Sequence, residues 1–114
     1  DLTALPTELQ TRVNEVLQNL PDAEKKDIAE KPKIFYTAKG CVACNNLGYK
    51  GRVNICELFS LTPEIEQAVT VGTVSEYEVE QMARHNGMVT MVEDGILKSL
   101  DGITTPEEVF RVIE

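Results

Sequence analysis

Cys41 and Cys44, in the motif Cys41-x-x-Cys44, are the residues of this sequence whose type and spacing could do chemistry. Two thiolates separated by two residues can bind one metal ion, provided that the chain turns sharply after them. Asn45, Asn46 and Gly48 follow the pair and are residue types that favour such a turn. The motif therefore predicts a zinc knuckle with Cys41 and Cys44 as metal ligands.

A complete zinc site needs four ligands, and the chain offers one other cysteine and one histidine. Cys56 lies in a predicted strand, where we expect a small, buried, apolar residue. His85 lies beside a predicted helix end, where we expect a surface position. Two alternatives for the pair stay open: reduced thiols without a metal, and a redox pair, although a redox pair would need a thioredoxin-like context that the sequence does not predict.

The charge of the chain is negative and unevenly distributed. Eleven Lys and Arg against nineteen Asp and Glu give a net charge of −8 over 114 residues, and residues 31–52 hold basic groups but no acidic ones. A chain without a net basic character is not expected to bind nucleic acid. No apolar run approaches the length that spans a membrane. The odd cysteine count, three, argues against a secreted disulfide framework.

Hydrophobic spacing and capping signals predict an α+β fold that is mostly α. An N-terminal helical segment, 1–30, contains a helix over residues 7–20. A cysteine-knuckle region, 31–60, has two short strands, 33–37 and 52–59. A C-terminal helical subdomain, 61–114, forms a bundle of about four short helices, because Thr and Ser caps recur there before apolar stripes. We expect this subdomain to stay folded without residues 1–30.

One position inside a predicted helix of this subdomain breaks the local pattern. Gly95 costs the helix about 1 kcal/mol relative to alanine. We therefore expect close packing against another element at this point.

Two longer motifs extend around and beyond the cysteine pair: Gly40-Cys41-x-x-Cys44-x-x-x-Gly48-Tyr49-Lys50-Gly51-Arg52 and Gly102-x-Thr104-Thr105-x-Glu107-Glu108. With these motifs, residues 39–114 resemble the GspE/PilB family of type II secretion and type IV pilus assembly ATPases. The family consists of cytoplasmic hexameric motors. Their ATP hydrolysis drives pilin or pseudopilin movement through an inner-membrane platform protein.

The resemblance implies that this chain is the C-terminal, non-catalytic end of such a motor, contributing to subunit assembly and coupling. The sequence contains no G-x-x-x-x-G-K-[ST] phosphate loop, so we expect no enzyme activity from the chain itself. ATP and Mg would belong to the parent ATPase. The implied partners are the rest of that ATPase, its neighbouring subunits and the platform protein. The implied location is the cytoplasm, at the inner membrane but not inserted into it.

The resemblance also implies roles for particular residues. The family's zinc subdomain has two C-x-x-C pairs, and Cys41 and Cys44 match the second. The first pair either lies outside this chain or is replaced by the helix over 7–20. Tyr49 and Arg52 are candidate contacts to a nucleotide or a neighbouring subunit, although Arg52 could equally be an exposed residue at a strand edge.

A second function, from a different class, stays open. The chain could be a free-standing zinc or thiol adaptor, in which the knuckle is docked on a helical interaction module. The acidic helical half would then bind a basic protein partner.

Overall fold

The computed structural model describes residues 5–72 and 74–114, and this part of the chain is mostly helical. The first four residues of the predicted segment 1–30 therefore lie outside the described residues. The described elements are α1 (Thr7–Gln18), α2 (Asp22–Ala29), α3 (Pro63–Val71), α4 (Glu76–His85), α5 (Met91–Leu100) and α6 (Pro106–Ile113), with a short 3-10 turn at Val42–Cys44. The predicted mostly α class is confirmed, and so are the four short C-terminal helices.

The C-terminal helices begin where the capping signals predicted. Each has a hydroxyl side chain at its N-cap, and that hydroxyl accepts a hydrogen bond from the backbone N–H three residues on. This bond satisfies one of the amides that a helix leaves unpaired at its start. The four N-cap residues are Thr62, Ser75, Thr90 and Thr105.

The two predicted strands are not formed, so this part of the fold prediction is wrong. Within the described residues, 33–37 and 52–59 have no regular secondary structure apart from one antiparallel bridge between Leu58 and Val89. Alternating branched residues suit a strand, but a strand exists only where a neighbouring segment completes its ladder of hydrogen bonds. Here helix α5 occupies the place of that neighbour.

Helix α5 replaces the missing strand through its side chains. Lys98 Nζ donates to the carbonyl oxygen of Asn54 at 2.6 Å, and the N–H of Cys56 donates to Asp94 Oδ2 at 3.1 Å. Lys98 and Asp94 also form an ion pair with each other at 2.7 Å. Because the segment lies on the surface, Cys56 is exposed, and its expected burial is also wrong.

The main core lies where α1 packs on α5 and α6. Gly95 makes the close approach of α5 and α6 possible, as expected from its position inside a helix. A Cβ atom at this position would lie 2.5 Å from Val109 Cγ1. The buried apolar residues of this core are Leu5, Val13, Leu17, Leu20, Ile28, Phe35, Ile96, Val109 and Phe110.

Helices α3 and α4 pack on each other around a second, smaller cluster, formed by Ile65, Ala83 and Met88. The molecule is elongated, with extents of 56 × 30 × 22 Å. Its radius of gyration of 16.9 Å exceeds the value of about 13 Å for a compact domain of this length. The two clusters therefore need a specific connection.

An ion pair with a buried carboxylate makes this connection. Glu93, at the start of α5, is 2% exposed and bonds to Arg84 near the end of α4. The same guanidinium donates to the carbonyl oxygen of Asn19 at 2.7 Å, just beyond α1. Thr90 Oγ1 donates to Glu93 Oε1 at 2.9 Å. One arginine thus joins three helices, and a buried carboxylate of this kind is stable only when it is paired and hydrogen-bonded.

Candidate functional site

The two cysteines face each other across a tight turn. Cys41 Sγ and Cys44 Sγ are 3.4 Å apart. The backbone N–H groups of Cys41 and Gly48 donate to Cys44 Sγ at 3.2 and 3.1 Å. The predicted turn, with backbone amides directed at a sulfur, is therefore present.

Residue types with unusual backbone freedom produce this turn. Asn45 and Asn46 have φ values of 54° and 62°, in the left-handed region that asparagine tolerates better than most residues. Gly48 has a φ of 81°, which favours glycine. A Cβ atom on Gly40 would overlap the carbonyl group of Asn46. The residue types at these positions therefore favour the geometry of the turn.

The amide donors change the acidity of the half-buried thiol. The hydrogen bond from the Cys41 N–H, followed by that from the Gly48 N–H, lowers the pKa of Cys44 from 9.0 to about 7. Both bonds stabilise the thiolate, because its full negative charge accepts more strongly than a neutral thiol. Cys44 is thus substantially ionised near neutral pH and suited to bind a metal ion.

The distance between the two sulfurs is close to that of two thiolates on one zinc ion. Two sulfurs bound to one tetrahedral zinc lie about 3.8 Å apart, so the observed 3.4 Å needs only a small opening. His85 ends α4 at an exposed position, as expected, and Cys56 is exposed as well. Across residues 5–72 and 74–114, no group of three or more His, Cys, Asp or Glu side chains is arranged to hold a metal ion.

Tyr49 connects the cysteine turn to helix α6. Its hydroxyl lies 2.6 Å from Thr105 Oγ1, and Thr105 is the buried residue that caps α6. Thr105 therefore serves both the helix N-terminus and the tyrosine. Tyr49 was predicted as a candidate contact residue, but its bond to Thr105 was not predicted, because 56 residues separate the two.

Arg52 lies on the surface, at one side of a groove of 440 Å³. The groove runs between residues 49–55 and the start of α6, and its apolar lining includes Val53, Ile103 and Val112. Arg52 has no ion-pair partner in the part of the chain that the structure describes. The groove places apolar surface beside Arg52.

Residues 49–58, here called the connecting segment, are attached to the C-terminal helices at several points. Besides the bonds of Tyr49, Asn54 and Cys56, Glu57 Oε1 accepts a hydrogen bond at 3.0 Å from the backbone N–H of Met91, the first residue of α5. Glu57 thus satisfies one of the amides that a helix leaves unpaired at its start.

The chain is a helical subdomain in which a turn with two facing cysteines is joined, through the connecting segment, to a set of short capped helices. The profile of the type II/IV secretion system protein family matches residues 1–111. The chain belongs to that family, as its motifs predicted.

Several curated relatives carry similar segments. The chain is 48% identical over 81 residues to the type IV pilus assembly ATPase PilB of Thermus thermophilus, covering 70% of this chain and 9% of the relative. It is 43% identical over 82 residues to the type II secretion system protein E of Xanthomonas campestris pv. campestris, covering 72% and 14%. It is 36% identical over 97 residues to the type II secretion system ATPase E of Vibrio cholerae, covering 83% and 18%.

The chain therefore spans less than a fifth of the length of these relatives. No solved structure matches the chain significantly. None of the helices in the described ranges combines the length and apolarity that crossing a bilayer requires.

Proposed function

We propose that the chain is the C-terminal, non-catalytic part of a secretion or pilus-assembly ATPase. In this proposal it contributes to subunit assembly and couples ATP hydrolysis to pilin or pseudopilin movement. The motor is a cytoplasmic hexamer at the inner membrane that acts on a platform protein. ATP and Mg bind elsewhere in the parent ATPase, not to this chain.

One observation carries the proposal: the family profile matches residues 1–111 of a chain that spans 9–18% of the three relatives compared. Those relatives are ATPases or components of secretion systems by name. The chain lacks a phosphate loop, so a role in assembly and coupling fits it better than hydrolysis.

The connecting segment is the proposed route of coupling. It is attached to α5 by the Lys98–Asn54 bond of 2.6 Å, and to α6 by the Tyr49–Thr105 bond of 2.6 Å. A displacement of the cysteine turn is therefore passed to both helices. Arg52, exposed beside the groove, is the proposed contact to a nucleotide or a neighbouring subunit.

We also propose that Cys41 and Cys44 supply two of the four ligands of a zinc ion. The other two ligands come from outside this chain. Zinc binding by the chain alone should then be labile and substoichiometric, because half of the coordination sphere is left to water or buffer. Elemental analysis tests this, and a one-to-one zinc content that resists a chelator would contradict it.

Substitution of Lys98 in the parent ATPase tests the coupling role. Lys98→Ala removes the bond from Lys98 to Asn54, one of the attachments of the connecting segment to α5, whereas Lys26→Ala removes an exposed lysine of α2 and serves as the matched control. We expect Lys98→Ala to keep ATP hydrolysis within about twofold and to reduce secretion or pilus assembly at least about tenfold. Unchanged assembly with Lys98→Ala would overturn the coupling role.

Two simpler observations test the assignment of the chain itself. The isolated chain is expected to show no ATPase activity above background. Turnover that is lost on mutating a residue within the chain would contradict this. The coding region upstream of Asp1 is expected to encode a phosphate loop in the same reading frame, whereas a start codon directly before Asp1 would favour the adaptor function.

A further inference from the structure

The geometry of the cysteine turn permits a second chemistry that needs no metal. Cys41 Sγ and Cys44 Sγ lie 3.4 Å apart within one turn, so a bond of about 2.05 Å needs the sulfurs to approach by little more than an ångström. Cys41 is exposed and Cys44 is half-buried. The pair therefore combines an accessible sulfur with a protected one at close range.

We propose that Cys41 and Cys44 form a reversible intramolecular disulfide by exchange with a small disulfide such as oxidised glutathione. The charge around the turn suits this oxidant, because residues 31–52 contain basic side chains and no acidic ones, and glutathione carries net negative charge. Lys39 and Lys50, the nearest basic residues in the sequence on either side of the pair, are both exposed.

The exchange takes place in two steps that balance. The Cys41 thiolate attacks one sulfur of oxidised glutathione, forms a mixed disulfide and releases one glutathione thiolate. Cys44 then attacks the Cys41 sulfur, closes the Cys41–Cys44 bond and releases the second glutathione. The protein loses two electrons and two protons, and the oxidant gains them as two thiols.

Closure of the disulfide would remove both sulfurs as metal ligands, because zinc binds thiolates. It would also weaken the two amide bonds to Cys44 Sγ, since a disulfide sulfur is a poorer acceptor than a thiolate. The turn would thus have two mutually exclusive states, a reduced one that can bind metal and an oxidised one that cannot. This inference does not depend on the role of the parent ATPase.

Cys56 provides a control within the same chain, because it is exposed but is not part of the Cys41–Cys44 pair. The test treats purified, metal-free chain with oxidised glutathione and measures intact mass. In a Cys56→Ser background, the product is expected to be lighter by two hydrogen atoms and to carry no glutathione. The mixed disulfide should stay below about a tenth of the protein, because the second step is intramolecular.

Two variants complete the experiment. In the same background, Cys44→Ser is expected to trap one glutathione on Cys41, because the resolving thiol is gone. The double variant Cys41→Ser, Cys44→Ser, with Cys56 retained, is expected to keep one glutathione on Cys56. Peptide mapping of the unsubstituted chain should place the new disulfide between Cys41 and Cys44.

A stable glutathione adduct on Cys41 or Cys44 in the Cys56→Ser chain would overturn the proposal, and so would a disulfide between two chains. Repeating the oxidation with added zinc separates this proposal from the zinc proposal. If zinc binds Cys41 and Cys44, it should slow disulfide formation. An unchanged oxidation rate would count against zinc binding only, because the disulfide would still form.

Discussion

At the scale of single residues, Cys44 differs from an ordinary surface thiol because two backbone amides donate to its sulfur. These bonds exist only while the turn from Cys41 to Gly48 is folded. The lowered pKa of Cys44 is therefore a property of the turn and can be used to detect its integrity in solution.

The pH dependence of alkylation tests this effect. With Cys44 at a pKa of about 7, its reaction with iodoacetamide should be half-maximal near pH 7 and level above about pH 8, because the thiolate is the nucleophile. Peptide mapping at each pH would follow Cys44 separately from Cys41 and Cys56. In denaturant the profile should move to higher pH, and a folded-state rate still rising steeply above pH 8 would contradict the prediction.

Thr105 is the second residue whose loss should be costly, since it caps α6 and bonds to Tyr49. Thr105→Ala removes both interactions and should lower the free energy of unfolding by about 1–2 kcal/mol. Tyr49→Phe leaves the cap intact and should cost less, about 0.5–1.5 kcal/mol. Urea unfolding measures both. Thr105→Ser, which keeps the hydroxyl, should recover most of the loss, and equal costs for alanine and serine would contradict the dual role.

At the scale of elements, the sequence predicted helices far better than strands, for a physical reason. A helix start is a local event, so a hydroxyl at Thr90 or Thr105 and the amide three residues later suffice to define it. A strand depends on a partner distant in the sequence. Residues 52–59 bond instead to side chains of α5, and an alternating apolar pattern does not predict such a contact.

The same distinction explains which parts of the candidate site could be predicted. The cysteine turn is local, so the residue types of its two asparagines and of Gly48 are enough to predict it. The Tyr49–Thr105 bond and the Arg84–Glu93 ion pair join residues from separate elements, so they form only when the helices pack together. The burial of Glu93 and its bonds to Arg84 could therefore not be predicted from the sequence.

Gly95 provides a test of how α5 and α6 approach each other. Gly95→Ala would place a Cβ atom 2.5 Å from Val109 Cγ1. The clash should outweigh the roughly 1 kcal/mol gain in helix propensity and destabilise the chain by about 1–2 kcal/mol. Adding Val109→Ala to Gly95→Ala should cost less than Val109→Ala costs in the unsubstituted chain. Additive costs in this double-mutant cycle would show that the two residues do not share the space.

At the scale of the whole molecule, the main core joins both ends of the chain. Five of its nine buried apolar residues come from the first 30 residues, and Arg12 of α1 stacks 4.0 Å from the ring centroid of Phe110 in α6. The boundaries at 30/31 and 60/61 stay a prediction, but this core takes residues from both sides of each. The shared core predicts, contrary to the sequence-based expectation, that 61–114 does not stay folded without 1–30.

Deletion of residues 1–30 is expected to abolish cooperative unfolding. It would expose the faces of α5 and α6 around Ile96 and Phe110, and burial of the five lost side chains contributes up to about 8–15 kcal/mol. That range matches the whole stability of a typical domain. Thermal unfolding of residues 31–114 followed by circular dichroism measures the effect, and a sharp, cooperative transition would contradict it.

A point substitution separates loss of packing from a simple effect of chain length. Leu17 lies on the buried face of α1, in the main core, whereas the next residue, Gln18, is exposed. Leu17→Ala should lower the free energy of unfolding by about 2–5 kcal/mol, because it leaves a cavity in the main core. Gln18→Ala should change it by less than about 0.5 kcal/mol. Equal stability of the two variants would contradict this prediction. It would show that α1 contributes little packing to the main core and that α5 and α6 are stable without it.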